Sequence, residues 1–227
     1  AGGAVVCTVE DGGPVSARKG VNVPGTMVDL PAIGPNDRDA ITHALREGAD
    51  YLAVSYVRTP EDLQPAIDAV KAAGKHVPVI AKIEHPMALE HLEDILNLAD
   101  AVMVARGDLG VEIPLEDVPM AQQRIIDGAL QRGMIVIVAT QMLETMTLNP
   151  RPTRAEVSDI SSAIRHGATA VMLSGETASG DYPLAAVQTM AKIAQAADTG
   201  FHSYDRRPSA LARFRSTRSV AHAGVEL

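Results

Sequence analysis

The chain has 227 residues, 46% of them hydrophobic and 21% charged, which supports a sizeable core in one large domain or two small ones. Its formal charge of −8 and pI near 5.3 argue against nucleic-acid binding, which normally needs a basic face, so the arginines at 206, 207, 213, 215 and 218 read as a solvated helix or connector. The one cysteine, Cys7, excludes an internal disulfide and fits a reducing cytoplasm, while no apolar run or leader pattern points to a membrane or to secretion.

In chain order, residues 1–24 come first and read as a small antiparallel pair: 5–9, a turn at Glu10-Asp11-Gly12-Gly13, then 15–18. Val23-Pro24-Gly25 breaks the chain. From about residue 36 one unit recurs, an amphipathic helix closed by glycine or a polar turn and then a short apolar strand. The strands are expected at 51–57, 77–81, 101–105, 134–139 and 168–173, as near-continuous apolar runs typical of parallel strands covered on both faces. Thr59-Pro60-Glu61-Asp62 is an N-cap with proline and acids in the first turn, and Leu63, Ile67 and Val70 mark that helix's apolar face up to Gly74. Pro86 opens a helix striped by Leu89, Leu92 and Leu96. Ile125, Ile126 and Ala129 belong to a third, Val157, Ile160 and Ile164 to a fourth, and Leu184, Val187, Met190 and Ile193 to a fifth.

Alternating strands and helices predict an α/β fold with a parallel sheet, and the spacing suits a (β/α)8 TIM barrel. A closed barrel of this kind needs eight strands and typically about 250 residues. The expectation is therefore a partial barrel over 25–199, five of eight parallel strands, with an antiparallel remnant at 1–24 and a connector at 200–227. Inward residues such as Ile80 are expected to lose packing partners, and the isolated chain to be inactive and prone to associate through its edge strands.

In such barrels chemistry sits where strands end. Those ends read Ser55 and Arg58, then Lys82-Ile83-Glu84, Arg106-Gly107-Asp108-Leu109-Gly110, Thr140-Gln141, and Ser174-Gly175-Glu176-Thr177. Lys82 and Glu84 share one face of an extended chain with Ile80, while Val79, Ala81 and Ile83 face the helices. They are either a solvated pair or a cation and carboxylate set over the barrel mouth. Asp108 lies between two glycines, which lets backbone approach a ligand; it either caps a turn or, with Glu84, offers two hard oxygens of the kind magnesium takes. The hydroxyls of Ser55, Thr140 and Ser174 have local backbone groups as alternative partners. Arg106 either binds an anion or braces its loop through an ion pair.

Together these stretches resemble pyruvate kinase. The matching segments are Arg18-Lys-Gly-Val-Asn-Val-Pro-Gly25 with Val28-Asp-Leu-Pro31, Lys82-Ile-Glu84, Met103-Val-Ala-Arg-Gly-Asp-Leu-Gly-Val-Glu112, Ala139-Thr-Gln-Met-Leu-Glu144, Pro152-Thr-Arg-Ala-Glu156 and Met172-Leu-Ser-Gly-Glu-Thr-Ala178. Their order and spacing hold across residues 18–200.

The resemblance implies phosphoryl transfer between phosphoenolpyruvate and ADP, giving pyruvate and ATP. Glu84 and Asp108 would hold Mg²⁺ or Mn²⁺, and Lys82 would stabilise the phosphoryl group in flight. The amides of Gly107 and Asp108, with Thr140, would bind the substrate carboxylate, Thr140 near the carbon that is protonated. Lys19 would lie at the lid hinge near the nucleotide phosphates. The resemblance also implies K⁺, whose ligands fall outside this chain, a homo-oligomer, usually a tetramer, and an N-terminal third of the barrel carrying the first three strands. Three departures stand out: His85-Pro86-Met87-Ala88 replaces a Glu-Gly-containing turn, Tyr56 replaces phenylalanine, and Met134-Ile135 replaces Lys-Pro. Two other readings stay open, a non-catalytic relative that binds metal or phosphoenolpyruvate, and a metal-dependent lyase of the phosphoenolpyruvate/pyruvate barrel group.

Overall fold

The computed structural model describes residues 3–14, 20–25 and 30–199. Helix α1 (Pro35–Glu47) begins where the Asp37 carboxylate takes the Gly34 N–H at 2.7 Å, and it ends at Gly48, whose φ of 86° suits a residue without a Cβ. Strand β1 (Leu52–Val57) follows, then a 3₁₀ turn over Pro60–Leu63 and α2 (Gln64–Ala72). After β2 (Val79–Ile83) come α3 (Pro86–Glu90) and α4 (Leu92–Leu98), then β3 (Ala101–Ala105), α5 (Arg106–Glu112), α6 (Val118–Gln131) and β4 (Ile135–Ala139). Helix α7 (Arg154–His166), capped reciprocally by Thr153 and Glu156, leads to β5 (Ala170–Met172), α8 (Gly175–Ala178) and α9 (Pro183–Thr199).

The strands form one parallel sheet in sequence order, β1-β2-β3-β4-β5, so among the described residues β1 and β5 are its edges. Alternation along each strand separates two apolar layers. Val79, Ala81, Ile83, Val102, Val104, Val136 and Val138 pack outward with Leu63, Ile95, Ile125, Ile126 and Ile160 of the surrounding helical segments. Ile80, Ala101, Met103 and Ala139 form a separate inner cluster, with Ile137 and Met172 against it. This is five strands of a (β/α) barrel, as the strand pattern predicts.

Several expectations are corrected. Strand β2 begins two residues late, because Pro78 has no N–H for the ladder and contributes only its carbonyl, to Leu52 N at 3.0 Å. Lys82 thus lies inside the strand. The helix opened by Pro86 is broken at His91, where φ −96° and ψ 17° turn the chain, so Leu89 and Leu92 sit on different helices. Residues 106–112 form a helix where a glycine-rich turn is expected. Residues 5–9 carry no strand, and Val5, Val6 and Val9 are exposed; 15–18 lie outside the described residues. Ile80 does not lose its partners, staying only 7% exposed against the inner cluster, and the open edges instead bare Ala53 and Ser55.

Candidate functional site

The β1–β2 corner owes its shape to a bulge. Register shifts between Val54 and Val57, and Tyr56 sits at φ 54°, a left-handed conformation costing roughly 1–3 kcal/mol for a non-glycine residue. The turn aims the Tyr56 N–H at Glu84 Oε2, 2.6 Å away. The other carboxylate oxygen, Oε1, meets Lys82 Nζ at 2.5 Å, and that ammonium also donates to Ser55 Oγ at 2.9 Å. Glu84 is 1% exposed, and a buried charge persists only when paired and hydrogen-bonded, as it is here from both sides. Of the pair, Glu84 is thus a buried, paired carboxylate, while the Lys82 side chain keeps 23% of its surface exposed.

The β3–β4 corner is built on a second strained turn, with Thr140 at φ 69° and Gln141 at φ 53°. For a β-branched residue such as threonine this region is a genuine outlier. The turn lets Thr140 Oγ1 accept the Gly107 N–H at 2.7 Å while donating to the Ala139 carbonyl at 2.6 Å. A Cβ at Gly107 would lie 3.3 Å from that hydroxyl, so glycine permits the close approach. The Gly107 amide, expected to face an anion, is engaged by Thr140. Asp108 lies in the first turn of α5.

Tyr56 links the two corners. Burial raises the pKa of its phenol, followed by the negative charges of Asp108, Glu112 and Glu84, while a 3.4 Å hydrogen bond to Asn22 Oδ1 partly offsets them. One phenol thus feels both candidate metal carboxylates. Among the described residues no group of three or more His, Cys, Asp or Glu gathers as a closed metal cage. The candidate donors are two carboxylates, hard oxygens that suit magnesium better than zinc.

The structure joins Ser55, Lys82 and Glu84 at one corner and sets Gly107 and Thr140 side by side at the adjoining strand ends, while Asp108 is linked to the first corner through its charge on Tyr56. Lys19 lies outside the described residues, as do the arginines of the tail. Ser174 contributes its backbone N–H rather than its hydroxyl, donating to Glu176 Oε2 at 2.8 Å. Three participants escaped sequence reasoning. The Tyr56 N–H is hidden because a bulge has no side-chain signature; Glu112 sits one helical stretch beyond Asp108; and Asp159, the partner of Arg106, lies 53 positions along the chain. No described helix is long and apolar enough to cross a membrane.

A single parallel sheet in sequence order, its strands joined by helices, places the chain among (β/α)-barrel proteins, and its strand ends hold the part-exposed Lys82 on the buried Glu84 carboxylate. Residues 1–187 match the family model described as pyruvate kinase, barrel domain. Proteins named pyruvate kinase from Mycobacterium tuberculosis and Corynebacterium efficiens are 54% and 50% identical over 83% and 87% of this chain, covering 40% and 42% of their own lengths. A third, from Geobacillus stearothermophilus, is 44% identical over 99% of the chain and 40% of itself. The chain belongs to the pyruvate kinase family and spans about two-fifths of the length of these relatives. Membership sets aside the lyase reading.

Proposed function

We propose that this chain carries the metal-and-lysine part of a pyruvate kinase active site, acting on phosphoenolpyruvate and ADP within a complete, homo-oligomeric enzyme. The observation that carries the reading is the Lys82 ammonium held at 2.5 Å from buried Glu84 and 2.9 Å from Ser55, at the corner to which Asp108 is linked through its charge on Tyr56.

In this reading, transfer breaks the bond between phosphorus and the enol oxygen as a terminal oxygen of ADP attacks phosphorus. Lys82 places its fixed positive charge where the equatorial phosphoryl oxygens gain negative charge. Glu84 cannot wander, because Tyr56 N–H and Lys82 hold both of its oxygens, so the field at the mouth is set before substrate arrives. Glu84 and Asp108 would hold the divalent cation, which when bound supplies charge neutralisation and orientation for substrate phosphate. The departing enolate takes a proton at carbon to give pyruvate, and Thr140, whose hydroxyl donates to the Ala139 carbonyl here, would stand at that end. Gly107 and Thr140, paired with each other here, would open onto the substrate carboxylate. Lys19 is proposed for the nucleotide phosphates.

The test uses a graft in which residues 3–199 replace the matching span of the Geobacillus stearothermophilus relative. Pyruvate formation, coupled to lactate dehydrogenase, should require phosphoenolpyruvate, ADP and Mg²⁺. In the same graft Asp108→Asn should weaken Mn²⁺ binding about tenfold or more, the loss expected for one of two anionic ligands. Absence of turnover in a folded graft, or unaltered Mn²⁺ affinity, would overturn the reading.

A further inference from the structure

We infer that Arg106 is a positioning residue, a guanidinium brace anchored by Asp159 that holds the Thr140–Gln141 turn in its left-handed conformation and so sets the Thr140 hydroxyl on the Gly107 amide. The inference rests on the proposed function only where it concerns substrate.

Two consecutive non-glycine residues at φ 69° and 53° do not hold that shape unaided, so something must stabilise the turn. The two carbonyls of these residues point at one side chain. Arg106 Nη2 donates to Thr140 O at 2.8 Å and to Gln141 O at 3.0 Å, and Nε adds a longer bond to Thr140 O at 3.3 Å. The remaining edge of the guanidinium is fixed by Asp159 on α7, with Nη1 to Oδ2 at 2.6 Å. Met142 Sδ packs against Nη2, and Arg106 is 8% exposed. All three nitrogens of this enclosed arginine donate to protein oxygens, which matches the second of the two sequence readings, a brace on the loop through an ion pair.

The planar fork matters because the three acceptors lie around one guanidinium plane, whereas a lysine ammonium is a point donor on a different stem. Asp159 extends the brace to the next β/α unit, so α7 fixes the rim of β4. Thr140 Oγ1 and Gly107 N meet at 2.7 Å only while the turn keeps its shape. A shift of this hydroxyl misplaces the groups proposed for the substrate carboxylate, and a misplacement of about 1 Å can cost as much as a hundredfold in rate.

The experiment uses the graft described above. Hydrogen exchange at the Gly107 amide reports the brace without any reference to catalysis. Arg106→Lys should speed that exchange by about tenfold and raise KM for phosphoenolpyruvate by a similar factor, with KM for ADP and thermal midpoint close to the parent's. Asp159→Asn, which keeps a hydrogen bond but loses the charge, should fall between parent and Arg106→Lys. The double variant Arg106→Lys/Thr140→Ala should be no worse than Thr140→Ala alone, since both act through one hydroxyl. Unchanged Gly107 exchange in Arg106→Lys, or additive losses in the double variant, would overturn the brace. If exchange responds as expected while the parent graft forms no pyruvate, the assignment of the reaction falls and the brace stands.

Discussion

Glu176 offers the sharpest test of how the rim of this half-barrel is held. Its carboxylate is 1% exposed and bridges two strand-end loops, Oε1 accepting Leu143 N–H at 3.0 Å and Oε2 accepting Ser174 N–H at 2.8 Å. Removing it with Glu176→Ala strands the buried Leu143 donor, which costs roughly 1–3 kcal/mol when left unpaired, and the part-buried Ser174 donor, which costs less. The loss, about 2–4 kcal/mol, is a large part of a typical domain stability of about 5–15 kcal/mol. Glu176→Gln keeps one acceptor oxygen, yet its NH₂ then faces the other N–H, so about half of that loss should remain. Urea unfolding of the graft and its variants measures this, with equal slopes showing that only stability has changed. If Glu176→Ala lies within about 0.5 kcal/mol of the parent, the ordinary range for a surface change, the carboxylate is not the tie between the loops.

Lys82→Met should lower kcat by roughly a thousandfold or more with little change in KM for phosphoenolpyruvate, since its charge is needed mainly in the transition state; a fall of less than about tenfold would remove Lys82 from the catalytic groups. Burial alone would raise the Glu156 carboxyl, but hydrogen bonds from the hydroxyls and amides of Thr145 and Thr153 outweigh it and hold the pKa below its ordinary 4.5. A depressed carboxyl stabilises the fold above its unfolded pKa and loses that contribution as pH falls through the folded value. The thermal midpoint of Glu156→Gln should accordingly lie below the parent's at neutral pH, with the gap narrowing below about pH 4.5; a gap independent of pH would refute the assignment. The isolated chain should associate through the β1 and β5 edges and form no pyruvate, whereas co-expression with the N-terminal barrel segment of a relative should yield a soluble, active complex. A well-packed, active monomer would contradict this.

The strand positions were legible because burial on both faces writes an unbroken apolar run, and four of the five observed strands fall inside the runs that predict them. The fifth, β2, slips by two residues for a reason also written in the sequence, the proline at 78, whose effect on the ladder outweighs its apolar neighbours. Residues 106–112 misled because two glycines suggest a turn, while the packing of Leu109 (fully buried) and the start of a helix directly off β3 override that propensity. Side-chain chemistry at strand ends was legible as residue type and face: Lys82, Glu84 and Ile80 do share the inner side. Backbone chemistry was not. A bulge at Tyr56 and a left-handed turn at Thr140–Gln141 leave no pattern in the sequence, yet they supply the N–H that fixes Glu84 and the hydroxyl that meets Gly107.

That division has a physical cause, and it says where the site's rigidity comes from. Charged side chains at a barrel mouth would scatter in water, since each long side chain carries rotamer entropy and exposed ion pairs contribute little. Here the charged groups are held by bonds to a neighbouring strand end, Lys82 by Ser55 on β1, Glu84 by the β1 bulge and Glu176 by the Leu143 N–H across β4 and β5, and the neutral Thr140 is held likewise by Gly107 across β3 and β4. Every adjacent pair of loops except that between β2 and β3 is tied by such a bond among the described residues. The untied pair is the one that carries Glu84, fixed from the β1 side, and Asp108, which the proposed cation would join to it. The rim is thus stiff where substrate orientation is proposed and open where a metal would complete it.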